Sequence, residues 1–86
     1  MEPKQIEEML MSALDLDEVH VQTSDGSHYG VIAVSDVFAT LSKVKQQQMI
    51  YGPLSELFAT NAIHALTIKT FTTEQWKKER LLNMAG

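Results

Sequence analysis

The stretch Ile63-His64-Ala65-Leu66-Thr67-Ile68 decides the fold, because a short apolar run of this kind is typical of a strand in a core. His64 places a titratable, metal-binding side chain at the start of that strand. A histidine in such a position is commonly a hydrogen-bonded core residue and nothing more. A second histidine, His28, is predicted at the same end of the same sheet, and this favours a functional role for the pair.

Hydrophobic spacing and turn signals divide the chain into seven elements in the order α-β-β-α-α-β-α. Asp25-Gly26 is a strong hairpin signal, and Ser35 and Ser42 have the side chains of helix N-caps. Thr72-Thr73-Glu74-Gln75 fits a capping box, so a last helix begins there and carries Trp76 as its anchor. The other predicted elements are a helix at 4–14, strands at 18–23, 29–34 and 64–71, a short helical turn at 36–40, and a long helix to about residue 61.

Residues 1–86 form one domain on this interpretation. The mostly helical connection between the second and third strands returns the chain to its starting end, so these two strands run parallel. The predicted fold class is α+β, with a three-stranded mixed sheet covered by helices on one face. Pro53 lies inside the long helix and is expected to kink or break it, because proline removes a backbone donor.

The hairpin determines which side chains share a face. With a two-residue Asp25-Gly26 loop, Thr23 pairs with His28, and directly paired residues point to the same side. The face predicted under the helices then contains Val19, Val21, His28, Ile32 and Val34, and the other face contains His20, Gln22, Tyr29 and Val31. On the third strand, His64 has the same parity as Leu66 and Ile68, so His28 and His64 are predicted to converge on the covered side.

Two neutral imidazoles at a partly exposed rim suit zinc, copper, iron or nickel. They do not complete a coordination shell, and Asp25 is the only carboxylate nearby, so it is a third candidate ligand. The simplest completion is a partner protein that supplies the remaining ligands. From spacing alone, a coincidental pair of histidines remains equally open.

Composition excludes several classes of function. The chain has 86 residues, a net charge of −4 and no cysteine, so disulfides, thiol catalysis and cysteine-bound metals are absent from it. No apolar run approaches the roughly 20 residues of a membrane span, and the start lacks the features of a signal peptide, so a cytoplasmic protein is expected. No nucleophile elbow or phosphate-binding loop is present, and the chain is not expected to be an enzyme.

A nucleic-acid-binding regulator is the alternative function. Lys43, Lys45 and Gln46 follow the Ser42 cap, where a recognition helix could contact phosphates and bases. The acidic net charge predicts weak and non-specific binding to DNA. A solvated helix surface explains the same residues.

Several motifs together resemble the BolA family over nearly the whole chain, and most of all its bacterial acid-stress branch. No single motif is specific, but their order is. They are Gly26-Ser27-His28-Tyr29, Val31 to Phe38, Ser42 to Gln48, Tyr51-Gly52-Pro53-Leu54, Ile63 to Ile68, and Thr73-Glu74-Gln75-Trp76.

This resemblance implies a fold like a class II KH domain and pairing with a monothiol glutaredoxin through a shared [2Fe-2S] cluster. The near-invariant histidine ligand of the family maps onto His64, and the partner and glutathione would each supply a cysteine thiolate. The family's second ligand lies in the loop between the first two strands, which is short here, with Asp25 near that position and His28 as a neighbour. Family members are also described as transcriptional regulators and stress proteins. Weak self-association and the choice between cluster delivery and sensing stay open.

Overall fold

The computed structural model describes the backbone of residues 1–85 and the side chains of residues 1–82. The predicted element order is confirmed. The helices are α1 (Pro3–Ala13), a short 3₁₀ helix (Asp36–Thr40), α2 (Lys43–Ala59) and α3 (Thr73–Ala85), and the strands are β1 (Glu18–Thr23), β2 (His28–Val34) and β3 (Ala65–Phe71).

The strands form one mixed sheet in the order β1-β2-β3. β1 and β2 are antiparallel, and β2 and β3 are parallel, because the intervening helices carry the chain back to the starting end of β2. α1 and α2 pack against each other and cover one face of this sheet, α1 over β1 and α2 over β3. The α+β class with a three-stranded mixed sheet is therefore confirmed.

The hairpin register differs by one residue from the predicted one. Thr23 pairs with Tyr29, which leaves residues 24–28 between the paired positions and not only Asp25-Gly26. A shift of one residue reverses every side chain of a strand. The covered face therefore carries the buried side chains of Val19, Val21, Tyr29, Val31 and Ala33, followed on β3 by Leu66, Ile68 and Thr70.

His28, Ile32 and Val34 consequently lie on the opposite face, which we call the open face, and the prediction that placed them under the helices was wrong. Paired positions and alternation also assign His20, Gln22, Gly30, Thr67 and Lys69 to the open face. The physical reason is burial: this register places the large ring of Tyr29 in the core, where it is 2% exposed, and leaves the polar imidazole of His28 in solvent.

The helix ends follow the sequence signals closely. The Ser35 and Ser42 hydroxyls accept hydrogen bonds from backbone N–H groups of Val37 and Lys45, as N-caps do. At the start of α3, the backbone N–H of Thr72 donates to Gln75 Oε1 at 2.9 Å, and the backbone N–H of Gln75 donates to Thr72 Oγ1 at 3.2 Å. This reciprocal pair is the predicted capping box.

Of the predicted kink or break at Pro53, the break is not observed, because α2 is a continuous helix of 17 residues. Its inner side is anchored on both sides of the proline by Ile50 and Leu54, which are fully buried, and by Leu57. Packing of this apolar stripe compensates for the one backbone donor that proline lacks. In the described part of the chain, no helix has the length and apolar character needed to cross a membrane.

Trp76 anchors α3, as predicted. Its indole is buried and packs against Phe71, with ring centroids 5.4 Å apart, and stacks on the His20 ring at the same centroid distance. Because His20 belongs to the open face, the first turns of α3 reach that side of the sheet. α1 and α2 leave the rest of the open face uncovered.

Candidate functional site

The candidate site is the rim formed by the loop before β2 and the residue before β3. Gly26 in this loop has a φ of 76°, a left-handed conformation that glycine adopts without steric cost. Thr23 Oγ1 accepts a hydrogen bond from the Gly26 N–H at 3.0 Å and donates to the His28 carbonyl at 2.8 Å. The loop is thereby closed by its own side chains, and its end presents His28.

Asp25 organises the loop with both of its carboxylate oxygens. Oδ1 accepts hydrogen bonds from the backbone N–H groups of Ser27 and His28, each at 2.8 Å. Oδ2 lies 2.7 Å from His28 Nδ1. The two backbone donors, with a further contribution from the His28 side chain, hold the pKa of the Asp25 carboxyl well below its usual range.

These contacts change the predicted role of Asp25. Its oxygens are engaged within the loop, so it does not stand free as the third metal ligand that the sequence suggested. The carboxylate instead fixes the His28 ring, because an Asp oxygen at Nδ1 favours the tautomer with hydrogen on that nitrogen. The His28 side chain is 67% exposed, and in the described part of the chain no hydrogen bond engages its Nε2.

His64 is held at the same rim by the backbone. Its N–H donates to the Ser27 carbonyl at 2.9 Å, immediately before His28, and the Ala65 N–H donates to the same carbonyl at 3.3 Å. Ile63 on its other side is 1% exposed and fixes the chain in the core, while the His64 side chain is exposed. The prediction that both histidines lie at adjacent strand starts is therefore confirmed.

The shared face is not confirmed. His28 has the parity of the open face, whereas His64, one residue before β3, has the parity of the covered face. The two histidines therefore share one end of the sheet but not one face of it. Among the residues that the structure describes, no group of three or more histidine, aspartate or glutamate side chains is arranged to hold a metal ion.

His20 is separate from this rim, as predicted, but it has partners that the sequence did not indicate. Its Nε2 lies 3.2 Å from Glu18 Oε1, and its ring stacks on Trp76. Between the two ends of the open face lies a hollow of about 220 Å³, which is lined by His20, Gln22, Gly30, Val31, Ile32, Thr67 and Lys69.

The candidate nucleic-acid residues do not form one surface. Lys43 and Lys45 are exposed at the start of α2, but Gln46 is buried. Gln46 Nε2 donates to the carbonyls of Phe38 and Leu41, at 2.9 and 3.0 Å, and Gln46 Oε1 accepts a hydrogen bond from Thr70 Oγ1. Gln46 is therefore a structural residue and is removed from the set that could read bases.

Sequence reasoning missed the role of Asp25 as an orienting group and the burial of Gln46. An Asp followed by Gly and Ser is a known pattern for a side chain that caps its own turn, so the first signal was available. Gln46 gave no such signal, because a glutamine in a run of three glutamines is typical of a solvated helix.

Comparison with known proteins identifies the family. A model of the family described as "BolA-like protein" matches residues 3–75. The acid stress protein IbaG of Escherichia coli K12 is 52% identical over 83 residues, which cover 96% of this chain and 98% of IbaG. An uncharacterized protein of Haemophilus influenzae is 54% identical over 83 residues, which cover 96% of each chain.

Solved structures agree. BolA1 from Arabidopsis thaliana superposes with a TM-score of 0.73 at 26% identity, over 87% of this chain and 98% of that one. The BolA domain of SufE1 from the same plant gives a TM-score of 0.72 at 29% identity, over 84% and 92% of the two chains. By sequence and by fold, this chain belongs to the BolA family.

Proposed function

We propose that this chain is a non-enzymatic cytoplasmic adaptor that binds a [2Fe-2S] cluster together with a monothiol glutaredoxin and its glutathione. The cluster is cargo in iron–sulfur trafficking or in a stress response linked to iron. His64 and His28 are the ligands that this chain contributes. Membership in a family that includes an acid stress protein supports the stress-related part of this proposal.

One observation carries the proposal: two exposed histidines lie at adjacent strand starts and are connected to the same loop. The Ser27 carbonyl accepts a hydrogen bond from the His64 backbone N–H, and the Asp25 carboxylate lies 2.7 Å from Nδ1 of the His28 ring. Imidazole nitrogen is an established ligand of iron in [2Fe-2S] centres. The two imidazoles of this chain can therefore supply some of the ligands of a cluster but not all of them. A cluster shared with a partner protein requires such an incomplete set.

Within this site, the residues have separable roles. His64 binds from a backbone position secured by Ile63 and the Ser27 carbonyl. His28 binds through Nε2, and Asp25 is a positioning residue that fixes the tautomer and ring orientation of His28. When bound, the cluster supplies iron and sulfide for transfer or for sensing.

The experiment is co-purification of this chain with a monothiol glutaredoxin and glutathione, followed by iron and sulfide analysis and visible circular dichroism. We expect a mixed complex whose spectrum differs from that of the glutaredoxin alone. His64→Ala should abolish that spectrum, and His28→Ala should weaken it. An unchanged spectrum with His64→Ala would refute the assignment of this ligand.

His20→Gln is the matched control. His20 is also an exposed histidine next to a carboxylate, but it lies away from the rim and against Trp76. The variant should keep the parent spectrum. If His20→Gln and His28→Ala weakened the cluster equally, the rim would not be the site.

Nucleic-acid binding is the second candidate function, and one observation favours it. Lys43 and Lys78 line the same shallow hollow, together with Thr70, Phe71, Gln75 and Glu79, so two cations from α2 and α3 are close. Phosphate contacts of this kind give binding that weakens steeply with salt. Because the chain has a net charge of −4, we expect no sequence-selective binding of a short DNA duplex near physiological ionic strength. Tight selective binding would replace the adaptor proposal.

A further inference from the structure

The outer side of α3 carries exposed leucines among the residues that the structure describes. Trp76 fixes which side of this helix is turned toward the sheet, because its buried indole packs against Phe71 and His20. At about 100° per residue, positions 77, 78, 81 and 82 lie on the side away from Trp76. Leu81 and Leu82 are accordingly 68% and 70% exposed. Two adjacent leucines in solvent, flanked by two lysines, form a surface suited to docking.

The charge of α3 is opposite to that of the rest of the molecule. The helix carries Lys77, Lys78 and Arg80 against Glu74 and Glu79, while the whole chain has a net charge of −4. The first 18 residues are the most acidic part. They contain Lys4 as their single basic residue and the acidic residues Glu2, Glu7, Glu8, Asp15, Asp17 and Glu18. An acidic surface that complements α3 is therefore present on this same chain.

The outer side of α1 also has the apolar groups that such a contact needs. Met1 and Met11 are 44% and 45% exposed, and Met9 is half-buried. Met1, Gln5, Glu8, Met9 and Ser12 line a shallow hollow along this helix. Methionine side chains are flexible and adapt their shape to an apolar partner. A leucine pair with lysines beside it matches a methionine surface with carboxylates beside it.

We propose that the outer face of α3 in one copy of this chain docks on the outer face of α1 in a second copy. The contact is apolar at Leu81 and Leu82 and electrostatic between Lys77 and Lys78 on one copy and Glu7 and Glu8 on the other. It does not involve the rim of His28 and His64.

The first experiment measures self-association of the full chain by sedimentation velocity, from about 10 μM to about 1 mM protein at low salt. We expect a concentration-dependent dimer that Leu81→Asp/Leu82→Asp abolishes. Val44→Asp is the matched control, since Val44 is 65% exposed on α2, outside the proposed contact. A monomeric parent over the whole range, or an equal loss of dimer with Val44→Asp, would overturn the proposal.

The second experiment reverses the charges on α1 or on α3 and tests whether a second copy of the chain is the partner of the leucine face. Glu7→Lys/Glu8→Lys makes α1 basic, and Lys77→Glu/Lys78→Glu makes α3 acidic. Each variant alone should dimerise about tenfold more weakly than the parent or worse, because like charges then face each other. Mixed together, the two variants regain opposite charges at both contacts and should form a heterodimer.

This mixture keeps the proposal falsifiable if the aspartate variants fail to fold. Far-ultraviolet circular dichroism and the fluorescence of Trp76, the one tryptophan of the chain, report the fold of each variant. Recovery of association in the mixture supports pairing of α3 with α1 between two copies. Association that is unaffected by either reversal, or a mixture that stays monomeric, would overturn the proposed contact.

Discussion

The two faces of the sheet differ in what their residues do. The covered face is apolar, and its side chains are held under α1 and α2, with Val31 and Ala33 at 1% and 0% exposure. The open face carries His20, Gln22, Thr67 and Lys69 around Gly30, and His28 at its edge. One face supplies the free energy of folding, and the other, with its rim, is free to carry chemistry. Substitutions on the covered face and on the open side should therefore differ in their effect on stability.

The largest expected effect is in the core of the covered side. Leu54, on the inner side of α2, is fully buried, and Leu54→Ala should lower the free energy of unfolding by about 2–5 kcal/mol. Ile32→Ala removes an apolar side chain from the open face, where it is half-buried, and should cost about 1 kcal/mol. Urea unfolding of both variants checks the difference. Equal losses would mean that the open face is packed as tightly as the core.

The buried polar network should be nearly as sensitive. Gln46→Leu leaves the carbonyls of Phe38 and Leu41 and the hydroxyl of Thr70 without their partner. We expect a loss of about 1–3 kcal/mol in the free energy of unfolding, since buried polar groups are costly when unpaired. Gln48→Leu, at an exposed position two residues later, is the control and should be nearly neutral. If the two variants unfolded at the same urea concentration, the network would have no energetic role.

Substitutions at two glycines distinguish the loop before β2 from the open face, because Gly26 lies in the loop and Gly30 lies on the open face. Gly26→Ala forces a side chain onto a backbone with φ of 76° and should cost about 1 kcal/mol. Gly30→Ala places a methyl group in open space on the central strand, where an added Cβ meets no atom within 4 Å. It should change stability by no more than about 0.5 kcal/mol. Thermal unfolding of both variants measures the difference in stability. A larger loss with Gly30→Ala than with Gly26→Ala would contradict the left-handed conformation assigned to Gly26.

The smallest expected effect concerns the rim and depends on pH. The pKa of Asp25 is lower in the folded chain than in the unfolded one, so its ionised form stabilises the fold at neutral pH. This contribution is complete above the unfolded value of about 3.9 and is lost as the pH falls through the lower folded value. Asp25→Asn should therefore destabilise the chain slightly at pH 7 and progressively less in acid.

The measurement is denaturant unfolding of parent and Asp25→Asn at neutral and acidic pH. Asp36 is the companion case, because its pKa is also lowered, by hydrogen bonds from the backbone and the hydroxyl of Thr73. Asp36→Asn should show the same direction of pH dependence without affecting His28. An Asp25→Asn penalty that grew in acid would contradict the hydrogen-bonded carboxylate described above.

The sequence by itself determined the order of elements, the helix caps, the hairpin, the parallel crossover and the location of His28 and His64 at one end of the sheet. These features depend on neighbours along the chain: Ser35 and Ser42 cap their own helices, and a helical connection reverses the chain direction. Local chemistry was therefore enough to predict them.

Only the tertiary structure decided the register of β1 and β2, the face of His28, the burial of Gln46 and the continuity of α2 through Pro53. Both parities of β2 contain apolar residues, so periodicity does not choose between Tyr29 and His28 as the core side chain. The choice depends on what α1 and α2 bury, and on Asp25, which satisfies the backbone N–H groups of the longer loop. The packing of α1 and α2 on the sheet joins residues that are distant in the sequence, which no local pattern encodes, and it sets the surroundings of the candidate ligands.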